Sequence, residues 1–496
     1  MINIYADEKI EEIRYTLSSI EGLAESTRIK SLSEIDEDGL YLTIDSNFIK
    51  VALPWEGNEP PIVFSSIPFD TDDLLAIVLS KLGYEEEALG FCKLPMLHQT
   101  LKYRFQLRNF QQSVTQPNSL EDDYYSLHNH AILVHYANHL HNGVSAEKLF
   151  KEAIAIAPTD EHAAFSARHL CVLLLDSGKN REAEFLLRKY CEISLCEKAK
   201  SYLELDLINV LISAALITVE GSELSELKDM IWRSIKYFEE KEIHWAVASL
   251  YSSASEVTNI EKSYTESLGY ISKTISIYEN EDLPEFLASA YLRKGTLLYT
   301  WAQDANPQFY QSAIDTYQEA LKTFTRDLFP FVFAEINHNL AVIYAEMPSD
   351  EKKKAMWSAF SASSFKECLD FYQKDTHPYE YAMVANNYAN ALLKYPPAKT
   401  GDNSEKAIYY YLEALEIRDA NKHPTERAHT ILNYLEACWR VDNINKSMER
   451  ARYKDMLAKA KEVRQLTDDE GLINQAQSHL DQISELGLAI MKEGNA

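Results

Sequence analysis

One short phrase is written four times in this chain, and its period limits the possible folds more than any other feature. It stands at Leu283-Pro284-Glu285-Phe286-Leu287-Ala288, Phe329-Pro330-Phe331-Val332-Phe333-Ala334, His377-Pro378-Tyr379-Glu380-Tyr381-Ala382 and His423-Pro424-Thr425-Glu426-Arg427-Ala428. The prolines lie 46, 48 and 46 residues apart, and an Ala follows each by four. A fixed period of this size belongs to stacked supersecondary units, not to one closed core. Proline has no N–H to donate and a fixed φ, so it suits the first turn of a helix and pushes the residue before it out of helical conformation. Each phrase therefore predicts the end of one helix and the start of the next.

Counting back from the prolines gives the packing. Ten residues before stand Thr274, Ala320, Cys368 and Ala414, and seventeen before stand Ser267, Ala313, Ser361 and Ala407. Between them, thirteen before, are Ile271, Tyr317, Phe365 and Tyr411. Small residues at i and i+7 with a large one at i+4 share one helix face, so a neighbouring helix can approach while the large side chain fills the space one turn away. With only 14 Gly and 15 Pro in 496 residues, the composition favours helices over tight turns. A chain this long exceeds one ordinary core, which again favours an elongated array.

Residues 1–100 differ in texture. Lys9 to Leu23 has a helical stripe of Ile10, Ile13, Leu17, Ile20 and Leu23, and Leu40 to Pro54 predicts two strands about Asp45-Ser46-Asn47. A third strand is expected over Pro61–Ser66, then helices from Thr71 and Tyr84. This is a small α/β element ahead of an array. From Leu101 to about 282 the chain predicts degenerate helical repeats, including Ala146–Pro158 as a second helix and a first helix ending at Gly178. Clear repeats span 283–466, and a terminal helix, 467–496, opens on the capping-box pattern Thr467-Asp468-Asp469-Glu470 and carries Leu472, Ala476, Leu480, Ile483 and Ile490 on one stripe.

The phrases from Phe329 to Ala341 and from His377 to Ala389, each with Pro, Ala four later and Asn nine after the Pro, resemble the longer-helix bacterial class of tetratricopeptide repeats. That class is similar in turn to the Asn-rich repeats of kinesin light chains, and its members often lie beside or are fused to caspase-like CHAT proteases. The resemblance is close over about 283–440 and loose over 124–282. It implies an all-α, right-handed superhelical solenoid of roughly eight helical hairpins. It also implies a scaffold or adaptor that holds a partner protein or extended peptide in a concave groove. Arg293 stands where the pattern has Asn, Lys294 where it has an apolar residue, and Leu435 where the other units have Ala341 and Ala389. The larger Leu435 is expected to make the last unit pack differently or act as a cap.

By that resemblance, Asn339, Asn387 and Asn433 face the groove, where an amide offers a donor and an acceptor to a peptide backbone. His338, Asn386 and Asn390 lie beside them. Arg293, Lys394 and Arg440 are cations that would suit an acidic tail. The alternative is that these Asn side chains bond neighbouring helices and only fix the stacking.

Two further readings remain open. A regulatory sensor would change pitch on binding a peptide and so control a separate effector such as a protease. A metal-dependent enzyme would use the run His128, His130, His135, His139 and His141, since His135 and His139 are at the i, i+4 spacing that can hold a transition metal. No Glu follows His135 in the HExxH manner, and no glycine-rich phosphate loop, GxSxG or CxxC is present, so neither a catalytic site nor a metal or cofactor is expected. The net charge of −27 disfavours nucleic acid and anionic membranes as partners. Six unpatterned Cys (Cys92, Cys171, Cys191, Cys196, Cys368 and Cys438), no signal-like N-terminus and no long apolar run predict a reduced, cytoplasmic setting. Oligomeric state is not legible.

Overall fold

The structure is a computed structural model that describes residues 1–35, 39–45, 47–57, 59–108, 123–136, 145–218, 221–304, 306–397, 402–441 and 446–494. It divides into two compact units, Met1–Lys262 and Ser263–Ala496.

The first unit begins with a five-stranded sheet: β1 (Ile2–Ala6), β2 (Thr27–Lys30), β3 (Tyr41–Asp45), β4 (Phe48–Val51) and β5 (Ile67–Pro68). Its order is β2-β1-β3-β4-β5. β1 runs parallel to β2 and β3, while β3–β4 and β4–β5 are antiparallel. Helix α1 (Ile10–Ser18) connects β1 to β2. The β3–β4 hairpin was legible. β1 was not, because a central strand buried on both faces shows no alternation: Ile2, Ile4, Tyr5 and Ala6 are all at most 1% exposed.

The strand expected over Pro61–Ser66 is absent, although Ile62, Val63 and Phe64 are buried as a strand would bury them. Side chains stand in for the neighbouring strand. Asn129 accepts from the Val63 N–H at 2.8 Å and donates to the Val63 carbonyl at 2.8 Å, and His128 Nε2 donates to the Pro61 carbonyl at 3.0 Å. One amide satisfies a backbone residue as a ladder would.

Helices α2 (Thr71–Lys81), α3 (Glu85–Phe91) and α4 (Pro95–Arg108) follow. Leu74, Ile77 and Val78 of α2 join Ile4, Ile44 and Ile49 of the sheet in one core. A buried ion group fastens the preceding loop to these helices: Glu59 meets Lys81 at 2.7 Å and Arg104 at 2.9 Å, and Arg104 also donates to Ser80 Oγ at 3.0 Å. The unit continues with α5 (Tyr124–Tyr136), α6 (Ala146–Ala155), α7 (Asp160–Asp176), α8 (Asn180–Cys191), α9 (Glu197–Thr218), α10 (Gly221–Glu240) and α11 (His244–Ile260). Successive helices pack against each other, and α5, α7, α9 and α11 also touch in series. Gly178 takes φ 71° just past α7, the left-handed conformation that ends a helix there.

The second unit holds α12 (Tyr264–Asn280), α13 (Pro284–Gln303), α14 (Phe309–Ala320), α15 (Pro330–Glu346), α16 (Glu351–Phe371), α17 (Pro378–Leu392), α18 (Asn403–Ile417), α19 (Pro424–Cys438), α20 (Lys446–Leu466) and α21 (Glu470–Gly494). Every proline of the phrase is the first residue of its helix, and the residue before it is non-helical. The seam is buried as the spacing demands: all twelve residues counted back from the prolines are at most 1% exposed. Leu435 is fully buried among Met456, Ala460 and Ile483, because α19 packs on both α20 and α21. The cap of α21 is Asp469, which accepts from the Leu472 N–H at 3.1 Å, with Thr467 bonding only the Asp469 N–H. Leu472, Ala476 and Ile483 are buried on that helix as expected, while the side chain of Ile490 lies outside the described residues.

Candidate functional site

The expected contact residues lie on the first helices of the second unit: Arg293 on α13, His338 and Asn339 on α15, Asn386, Asn387, Asn390 and Lys394 on or just past α17, and Asn433 and Arg440 on or just past α19. The three Asn nine residues after a proline are half-buried, but they are not equivalent. Asn387 donates from Nδ2 to His338 Nε2 at 3.0 Å, which ties α17 to α15, and its Oδ1 accepts from Asn386 at 3.2 Å. Asn339 and Asn433 make no hydrogen bond with the described residues. His338 is 9% exposed, and burial pushes its pKa down to about 4. It is therefore neutral, with Nε2 free to accept from Asn387 and the proton on Nδ1. The Oδ1 of Asn386 is buried without a partner among the described residues.

Asn390 has a different task. Its Oδ1 accepts from the Tyr411 hydroxyl at 2.6 Å. Thr296, which also stands twelve residues after a phrase proline, meets the Tyr317 hydroxyl at 2.9 Å. Where the seam aromatic is Phe365, with no hydroxyl, the corresponding residue is Val342. The polar residue is present where the ring carries an O–H and absent where it does not.

The cations are also engaged. Lys394 meets Glu346 of the preceding repeat at 3.0 Å, and Arg440 donates to the Leu393 carbonyl at 3.3 Å. Glu346 also accepts from Tyr299 at 2.8 Å and from Gln303 at 3.1 Å. Burial alone would raise its pKa, but these donors hold it below the usual range. Arg293 is exposed on α13.

First helices in contact (α13 with α15, α15 with α17), second helices packed against them, a proline opening α13, α15, α17 and α19 and a buried seam of small and large residues decide the architecture. The fold is that of tetratricopeptide repeats. No protein-family model and no curated protein matches the sequence. Several solved structures are similar in form. A signal-transduction ATPase with numerous domains and a tetratricopeptide repeat sensor, from Pyrococcus horikoshii, is 12% identical, with 98% of this chain and 78% of that one covered and a TM-score of 0.49. Yeast Tom70 is 11% identical over 86% of this chain and 84% of that one, with a TM-score of 0.41. Human IFIT1, in a dimer with m7Gppp-AAAA, is 14% identical over 84% and 90%, with a TM-score of 0.45. Likenesses this distant say nothing of what the present repeats hold.

The histidine run of the first unit does not assemble a metal site among the described residues, where no group of three or more His, Cys, Asp or Glu is placed to hold an ion. His128 is fully buried, with Nδ1 at 2.8 Å from Ser166 Oγ and Nε2 spent on Pro61. Burial lowers its pKa to about 4. His130 buries both ring nitrogens without a partner among the described residues, and His135 Nε2 faces Asp176 at 3.7 Å. His139 and His141 lie outside the described residues. Among the described residues no helix is long and apolar enough to cross a membrane.

One feature of the site was overlooked in the sequence. Lys352, Lys353 and Lys354 follow the Asp350 cap and Glu351, in a chain with 76 acidic and 49 basic residues. Consecutive lysines at a helix N-terminus oppose the helix dipole, and that signal was available without coordinates.

Proposed function

We propose that this protein is a non-catalytic interaction scaffold that holds an extended segment of a partner protein along the first helices of its second unit. The observation that carries the reading is the division of labour among the repeated Asn residues. Asn387 is committed to His338, whereas the side chains of Asn339 and Asn433, at half-buried positions, bond none of the described residues. An amide left unbonded within the fold can pair with a peptide group without adding charge. Lys394 and Arg440 serve the stacking of repeats, so the segment is held by backbone bonding more than by its charge.

The test uses the tagged full chain to recover a stoichiometric partner, then compares Asn339→Ala/Asn433→Ala with Asn387→Ala. The double variant is expected to lose partner affinity while melting at the unchanged temperature, and Asn387→Ala is expected to melt lower. Full affinity in the double variant would sink the groove assignment.

A further inference from the structure

An open pocket of about 610 Å³ lies at the C-terminal ends of α13 and α15, bounded by the turn into α16. Gln303, Tyr310, Glu346, Ser349, Lys354 and Lys394 supply its polar lining. Glu346 is already served by Tyr299, Gln303 and Lys394, as described above. Ser349 Oγ, by contrast, is buried and has no partner among the described residues. Lys354 is exposed and forms no ion pair with the described residues, and the same is true of Lys352 and Lys353. Asp350 caps the helix by accepting from the Lys353 N–H at 2.9 Å, and three lysines in a row outnumber the two acids, Asp350 and Glu351, that precede them. Like charges side by side at the positive end of a helix repel each other and the dipole, so this corner favours an anion brought from outside.

An apolar strip adjoins it. Tyr344 stacks on Trp357 with centroids 5.6 Å apart, and Phe360 lies 5.6 Å from Tyr344 and 5.9 Å from Trp357. Met356 is 43% exposed and Phe360 48%. Lys353, Met356, Trp357 and Phe360 recur at i, i+3, i+4 and i+7, so α16 presents a cation followed by an apolar strip on one face.

We infer that this corner of the second unit is a docking site for an acidic, amphipathic peptide segment of a partner protein, with one carboxylate seated between Lys354 and Ser349 and the apolar side chains laid over Trp357, Met356 and Phe360. The inference rests on the scaffold reading and names a second surface, distinct from the Asn positions. Charge complementarity selects the occupant: Lys352, Lys353 and Lys354 form no ion pair with the described residues, on a chain of net charge −27. A concave pocket with the Ser349 hydroxyl and the Lys354 ammonium in its wall, and with Glu346 already met by Lys394, offers a donor and a charge to a single acid group. A polyanionic surface such as a membrane or a nucleic acid would meet the repulsion of the whole chain.

The test measures anisotropy of a short labelled peptide alternating Glu with Leu, against the same peptide with Gln for Glu, on the full chain. The acidic peptide is expected to bind, to weaken with added salt, and to lose about tenfold or more in affinity with Lys353→Glu/Lys354→Glu. Trp357→Ala is expected to weaken it as well, and Lys353→Gln/Lys354→Gln serves as the milder charge removal. Asn339→Ala/Asn433→Ala is expected to leave peptide binding unchanged, which separates this surface from the groove. Equal binding of the two peptides, or affinity unmoved by the lysine changes, overturns the inference. So does preferential binding of vesicles containing phosphatidylserine that the lysine changes abolish.

Discussion

The pairing of Tyr411 with Asn390 shows how one repeat differs from the next at a single hydroxyl. Tyr411 is fully buried, and among the described residues its O–H meets only the Asn390 amide. Tyr411→Phe leaves that amide oxygen facing a ring, and the expected loss is about 1–3 kcal/mol. Adding Asn390→Val reproduces the Phe365 and Val342 arrangement of the preceding repeat, so the double variant is expected to regain most of that loss. Urea unfolding of the two single variants and the double gives the coupling energy, and strict additivity would contradict the pairing. Gly295 obeys the same geometry. A Cβ there would lie 2.9 Å from the Tyr317 ring, so the smallest residue stands where the seam tyrosine approaches most closely.

At the scale of the element, two devices can be separated. The phrase prolines sit where no N–H is needed, and their contribution is to stiffen the unfolded chain. Pro378→Ala is therefore expected to cost no more than about 1 kcal/mol and to leave helicity by circular dichroism unchanged. The Glu59 group is the opposite case, a buried charge shared by two cations from α2 and α4. Lys81 is driven down to about 8 because burial outweighs the attraction of Glu59. Glu59→Gln strands Lys81 and Arg104 without a counter-charge, and the expected loss is about 3–5 kcal/mol in denaturant unfolding. A loss below about 1 kcal/mol would mean that water reaches the group. The two variants rank opposite to the visibility of their residues, since the repeated prolines stand out in the sequence and Glu59 does not.

For the whole molecule the buried histidines set the acid limit. His128 in the first unit and His338 in the second both have pKa values lowered to about 4, chiefly by burial. Their unfolded value is about 6.5, so below that pH the unfolded chain takes up protons that the fold refuses. Stability is therefore full above pH 6.5 and falls as pH drops toward 4, by roughly 3 kcal/mol for each group. Melting temperature followed from pH 7 to 4 is expected to decline for the parent, with a shallower slope for His338→Gln. An unchanged slope would show that His338 is not held neutral. Among the described residues every expected contact side chain belongs to the second unit, while the sheet, Glu59 and the histidine cluster belong to the first.

Period and side-chain size alone determined the repeat architecture. Proline has one place in a helix and small residues at i and i+7 leave one face open, so the starts of α13, α15, α17 and α19 and the seam behind them were legible without coordinates. The equal-looking Asn residues were not separable in that way. Asn339, Asn387 and Asn433 share a spacing, and only the tertiary structure set His338 beside Asn387 and left the other two side chains without a bond among the described residues. The same holds for Asn129 in the place of a strand and for Glu59 between two cations. Helical periodicity is a local constraint written into neighbouring residues. A hydrogen bond or ion pair depends on which distant residue the finished packing brings within about 3 Å.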